Sequence, residues 1–133
     1  MNWSKVAITG VVGGIALWLY SFVMHGLIMG KSYAAMEIFR QDGSPLNFLF
    51  VQLCMALAAA ALFAKTRNAW GNGMKGGLVF GFFLGLVFFF AQFMNPLVFA
   101  KFPYYLSWCW GGIELIGWMV FGCVAAMLYK QSE

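Results

Sequence analysis

Charge is almost missing from this sequence. Asp, Glu, Lys and Arg make up 9% of its 133 residues, where a soluble domain carries about a quarter. That scarcity excludes a water-soluble globular class. Histidine occurs once, and the three cysteines, Cys54, Cys109 and Cys123, show no Cys-x-x-Cys spacing. Neither a zinc site nor a dithiol redox motif is therefore indicated. The cysteines read as small buried hydrophobes. A transition-metal set drawn from His25, Cys109 and Glu114 has no local spacing to support it. The nine methionines form no repeated Met-x-x-Met cluster. No nucleophile–base pair, phosphate-cradling glycine loop or HExxH motif is present. The expectation is a protein that is not an enzyme and holds no metal or cofactor.

What remains is apolar: hydrophobic residues reach 63%. Four segments, about 6–29, 46–64, 76–99 and 104–129, are each long enough to cross a hydrocarbon layer of about 30 Å. They fill most of the chain and leave no room for a separate soluble domain. The fold class expected is all-α: a single polytopic membrane domain of four transmembrane helices in a bundle. The net charge of +4 comes from residues at the segment ends, which reads as a topology signal beside lipid headgroups and not as nucleic-acid binding. With four spans, Lys5, Lys65, Arg67, Lys75 and Lys130 share one side, and Lys31, Arg40 and Lys101 the other. The excess predicts both termini in the cytoplasm, in a cell membrane of bacterial inner-membrane type. The first segment exceeds a signal-peptide core and lacks an Ala-x-Ala site, so it is expected to be retained.

The third segment is the most patterned. Glycines at 73, 77, 81 and 85 recur every fourth residue, a stripe that lets a neighbouring helix backbone approach closely. Gly10 and Gly14 give the first helix a small face, and the expectation is that Gly77, Gly81 and Gly85 pack against it. Farther along, Gln92, Asn95 and Pro96 place polar and helix-breaking groups where each must be satisfied inside the protein. Between the first two segments, Ser32 is placed to cap a short helix whose Tyr33, Met36 and Phe39 lie on one side, an amphipathic turn for the headgroup layer. Tyr104, Tyr105, Trp108 and Trp110 open the fourth helix as an interfacial aromatic cluster.

Two echoes run through the chain. Met24-His-Gly-Leu-Ile-Met-Gly-Lys31 parallels Met94-Asn-Pro-Leu-Val-Phe-Ala-Lys101, and Ala60–Lys65 parallels Ala125–Lys130. Two repeated helical hairpins would produce such echoes; chance matching in a chain this apolar would as well. The run Gly14-x-x-x-Trp18-x-Tyr20, followed by Gly30-Lys31-x-Tyr33, resembles a bacterial family of small four-helix integral membrane proteins of unknown function. The glycine-rich third helix and Gly122 are compatible with it. The resemblance implies the four-helix fold and no chemistry. His25 and the Asn95-Pro96 pair do not map onto it.

With alternating helix directions, His25, Gln52, Gln92, Asn95 and Glu114 all fall in the same half of the membrane, the half away from the termini. Glu114 is the sharpest of them, because an intramembrane carboxyl is costly and faces a bundle interior. Pro96 frees the carbonyl of residue 92 at that level. One reading makes the five residues interhelical glue, worth about 0.6 kcal/mol per hydrogen bond. The chain would then be a structural or accessory subunit, working through its glycine faces in a homo-oligomer or larger membrane complex. The other makes them a site for a small polar ligand, an ion or a proton, opening outward past Tyr104 and Trp108, in a transporter or channel-like protein.

Overall fold

The computed structural model describes residues 1–130. Among them it is helical with no strand, and four helices are long and apolar enough to cross a membrane. α1 (Trp3–Ser21) starts where the Asn2 side chain accepts the Lys5 amide at 3.0 Å, an N-cap that satisfies one of the free amides of the first turn. It continues as a π-helical stretch, Phe22–Ile28, in which Met29 N–H donates to the Met24 carbonyl. A short α2 (Gly30–Ala34) follows. α3 (Pro45–Thr66) begins with Ser44 as N-cap and proline in the first turn, where no amide is lost. A 3₁₀ turn over Arg67–Ala69 and the left-handed glycines Gly71 (φ 82°) and Gly73 (φ 62°) reverse the chain, a conformation only glycine adopts freely. α4 (Gly73–Ala91) gives way to a 3₁₀ turn at Gln92–Met94 and a short α5 (Asn95–Val98). α6 (Tyr104–Leu128) completes the bundle.

The four-helix, all-α expectation holds, with revised edges. The first span begins at Trp3 and the second runs on to Thr66. The third is not one helix to residue 99, since its geometry breaks at Gln92. The short helix after the first span starts at Gly30 and not at Ser32; Tyr33 and Phe39 fold inward against Trp110 instead of lying on lipid.

The glycine pairing differs from the expectation. Gly77, Gly81 and Gly85 pack on α6, not on α1. A Cβ at Gly77 would run into the Gly122 carbonyl, one at Gly81 would sit 2.7 Å from Met119 Cα, and one at Gly85 2.9 Å from Leu115 Cα. Gly10 and Gly14 meet α3, at Leu57 and at Leu53 and Ala56. The physical reason is shape: α6 sets Gly122 opposite Gly77, so two backbones meet with no Cβ on either side, while Leu53, Ala56 and Leu57 of α3 fill the small face of α1. Gly73 belongs to the turn, with open space around it. The cysteines also differ, because Cys54 and Cys109 are exposed on the outer surface and Cys123 is half-buried. In a membrane that surface is lipid, so a small apolar thiol is as well placed there as in a core.

α1 also packs on α6 through Gly13 against Phe121 and Gly117 against Leu17 and Tyr20. α6 is therefore the central helix. α3 leans on α1 and barely touches α6; it is joined to α4 by Phe63 and Phe80, rings 5.0 Å apart. The half of the bundle beside the termini is solid, filled by Leu17, Phe63, Phe80, Trp118 and Phe121, all fully buried. In the opposite half the interior is open, between residues of α1, α3 and α6. The two hairpins share a plan: α1 and α4 are each 19 residues long, and each loses α geometry at the next residue, Phe22 and Gln92.

Candidate functional site

The open half holds a cavity of about 900 Å³, at the upper end of the range of small-molecule sites. α1 contributes Trp18, Ser21, Phe22 and His25; α3 contributes Gln52; α6 contributes Trp110 and Glu114; Gln92 closes the far side. The loop from Phe39 to Pro45 lies over the mouth, with Phe48 at its edge. Of the five polar residues read from the sequence, His25, Gln52, Gln92 and Glu114 line this one cavity. Asn95 does not line it; its side-chain amide donates to Gln92 Oε1 at 3.2 Å and so orients that residue from behind. The mouth lies beside Phe48 and the Phe39–Pro45 loop, not past Tyr104 and Trp108. Those two rings pack edge-on against Phe93 instead, at 5.9 and 5.0 Å.

Each polar wall residue is held. Trp118, wholly buried, donates its indole N–H to Glu114 Oε2 at 3.0 Å. That bond spans one helical turn, so it comes from the i, i+4 spacing on α6. Gln52 donates its amide to Ser21 Oγ at 3.2 Å, crossing from α3 to α1. Its buried Oε1 has no partner among the described residues, and neither does the hydroxyl of Tyr20. The carbonyl of Gln92, released by Pro96, is not left for Glu114; Ser107 Oγ donates to it at 2.9 Å. The Asn95 backbone N–H also reaches this carbonyl, through 3₁₀ geometry, and the serine hydroxyl adds a second donor, worth about 0.5–1.5 kcal/mol net.

The roof is a knot around Tyr33. Trp110 donates its indole N–H to the Tyr33 oxygen at 2.6 Å, and His25 Nδ1 lies 2.6 Å from the same atom. Met29 Sδ is within 3.4 Å. Burial pushes the Tyr33 hydroxyl up to about 12, so it is neutral and keeps a proton to donate. With that proton on the His25 bond, Nδ1 accepts and the ring proton sits on Nε2. Phe39 packs on Tyr33 at 4.9 Å and on Trp110 at 5.8 Å, and Phe102 on Trp110 at 5.2 Å. Trp18 donates to the Pro45 carbonyl at 3.1 Å and so ties α1 to the start of α3. Trp110, expected at the interface, is thereby part of the roof, because the π turn and α2 bring Tyr33 back over the bundle.

Tyr33, Tyr20 and Ser107 were not among the residues singled out as a site. Trp110 and Trp118 carried a signal, standing four residues on either side of Glu114. Tyr33 and Tyr20 carried none, since their reach depends on a reversal after a π-helical stretch.

Among the described residues, no three His, Cys, Asp or Glu side chains come together as a metal site would require. Arg40 and Asp42 at the mouth form an exposed ion pair at 3.2 Å and so neutralise each other. Apart from the neutralised Asp42, the cavity thus offers one carboxyl, Glu114, beside the polar side chains of Gln52 and Gln92 and the rings of Trp18, Phe22, Tyr33, Phe39 and Trp110. Comparison with family models, with characterised protein sequences and with solved structures finds no match to this chain.

Proposed function

We propose that this is a membrane protein that binds a small amphipathic cation, or a molecule with an equivalent hydrogen-bond donor, in its intramembrane cavity. The observation that carries the reading is the Glu114 carboxyl, held by Trp118, in a cavity walled by Trp18, Phe22, Tyr33, Phe39 and Trp110. An ammonium group satisfies that carboxyl, and aromatic faces attract the same charge, by about 2 kcal/mol when desolvated. The glycine faces on which an accessory-subunit role would rest are consumed inside the chain, so the cavity is the stronger guide. Because the half of the bundle beside the termini is filled by fully buried side chains, the cavity matches the ligand-bound half of a carrier cycle better than a pore. The basic excess at the terminal end puts the termini in the cytoplasm and the mouth outside, as in a bacterial inner membrane. A chain with four spans is small for a carrier, and a homo-oligomer is the working assembly under this reading. The protein acts without chemistry on its ligand.

The test is thermal unfolding of the detergent-solubilised protein with benzylammonium and, separately, benzyl alcohol. Ligand at a hundred times its Kd stabilises by about 2.7 kcal/mol. The cation should raise the midpoint of the wild type and leave Glu114→Gln unmoved, and the alcohol should do little to either. Equal effects of both compounds on both proteins would replace a carboxyl-centred site with simple interhelical bonding.

A further inference from the structure

The opposite end of the bundle carries a second concavity, of about 320 Å³, between the start of α1, the turn after α3 and the end of α6. Lys5, Arg67 and Lys130 line it, together with Asn2 and Tyr129, and no carboxylate among the described residues does. Arg67 is the unusual member. It is only 6% exposed, and its guanidinium lies 5.1 Å over the ring of Phe63. One terminal nitrogen donates to the Gly71 carbonyl at 2.5 Å, while the buried Nε has no partner. A carbonyl and an aromatic face carry no full negative charge, and withdrawing a guanidinium from water with no counter-ion among the described residues is costly. Helix C-termini attract cations by themselves, which accounts for Lys130 after α6 but not for the withdrawal of Arg67.

The remaining groups are arranged for an anion. Tyr129 Oη already accepts the Asn2 amide at 3.1 Å, so its own proton is left to donate. The α1 N-terminus, 19 residues of helix behind it, adds the positive end of its dipole. The guanidinium and the two lysine ammonium groups concentrate positive charge on one cleft, and phosphate is an anion that arginine and lysine both bind. All four spans end at this level, which in a membrane is the headgroup layer. The geometry points to a phosphate-binding cleft formed by Arg67, Lys5 and Lys130, occupied by the headgroup phosphate of an anionic lipid.

The cleft and the proposed cation cavity lie at opposite ends of the bundle, so one can fail without the other. The experiment measures lipid retention by native mass spectrometry of the purified protein, supplied with phosphatidylglycerol or with phosphatidylcholine. The wild type should retain the anionic lipid preferentially. Each lysine lost near such a headgroup should weaken retention about fivefold, so Lys5→Gln with Lys130→Gln should lower it by about 25-fold. Both lysines are exposed, and that double variant should fold; Arg67→Gln adds a single-site test where it folds. A parallel arm adds millimolar inorganic phosphate: displacement of the lipid from the wild type, absent in the double variant, shows a site for phosphate itself. Failure of free phosphate to compete, with the anionic preference intact, assigns the cleft to lipid. Retention that is the same for both lipids, or unchanged in the double variant, overturns the proposal.

Discussion

Ser107 and Gln92 are joined across 2.9 Å, the serine hydroxyl on α6 donating to the backbone carbonyl where α4 breaks. Pro96 has no amide hydrogen to return to that carbonyl, and the Asn95 amide reaches it only through the tighter 3₁₀ geometry. Ser107 is wholly buried, so no water replaces it. Ser107→Ala should destabilise the fold by about 0.5–1.5 kcal/mol, read as a lower unfolding midpoint in detergent. Pro96→Ala in the same background should recover part of the loss by restoring the helical donor. If the double variant is no more stable than Ser107→Ala alone, the break at Gln92 has another cause.

The α4–α6 contact is backbone on backbone, and it should be intolerant of any side chain. A Cβ at Gly81 meets Met119 Cα at 2.7 Å, and Gly77 and Gly122 exclude side chains from each other. Gly81→Val should cost about 3 kcal/mol or more, because neither helix has a flexible end to move aside. Gly112, also on α6, has nothing within 4 Å of its missing Cβ, and Gly112→Ala should be neutral or slightly stabilising. Equal midpoints for Gly81→Val and the wild type would show that the helices sit farther apart.

These two contacts mark how far the sequence was legible. Four spans followed from uninterrupted apolar length, a property of each segment alone. The glycine period showed that α4 needs a close neighbour but carried no address, since small faces on α1 and α6 are chemically alike. The choice of α6 comes from Gly122, which meets Gly77 backbone to backbone, while α3 fills the small face of α1. Depth placed His25, Gln52, Gln92 and Glu114 together, because rise per residue is the same in every helix. Direction was less readable. The π stretch after Ser21 turns the following residues by about 100° from a regular helix, and nothing in Phe22–Ile28 announces it. The pattern of Tyr33, Met36 and Phe39 therefore points to the headgroup layer, whereas Tyr33 is the centre of the roof over the cavity.

The roof should fail in alkali. Tyr33 ionises near 12 in the fold and near 10 in an unfolded chain. Its raised value means that the folded state holds the proton more tightly. The stability it contributes is thus complete below about pH 10 and is lost as pH rises toward 12. Wild-type unfolding midpoints should fall across that window, and Tyr33→Phe should fall less steeply while starting lower, having lost the His25 and Trp110 bonds. Parallel curves for the two proteins would remove Tyr33 as the cause.

Glu114 has two roles that substitution should separate. Its Oε2 accepts from Trp118, a residue with no exposure, and an amide oxygen can do the same. Glu114→Gln should therefore fold with a midpoint close to that of the wild type. Glu114→Leu leaves the indole N–H buried and unpaired, at a cost of about 1–3 kcal/mol. A Leu variant as stable as Gln would mean that the Trp118 bond contributes nothing measurable, and the carboxyl would stand there for the cavity alone.

The hydration and sidedness of the cavity meet in one labelling measurement. Gln52 and Cys54 are two residues apart on α3 and so face nearly opposite ways. Gln52 lines the cavity, and Cys54 is exposed on the outer surface of the bundle, where lipid would lie. A thiolate is the reactive form and needs water to exist, so a cysteine at 52 should react with a charged, membrane-impermeant thiol reagent while Cys54 stays inert. The background replaces Cys54, Cys109 and Cys123 with alanine, and Cys54 is restored alone as the lipid-facing control. Labelling of Gln52→Cys in intact cells places the mouth outside and, four spans being an even number, both termini within. Labelling only in inverted vesicles would reverse the orientation and keep the cavity. Position 52 no more reactive than Cys54 from either side would mean that the space beside Glu114 is closed to water, and the ligand proposal would fall with it.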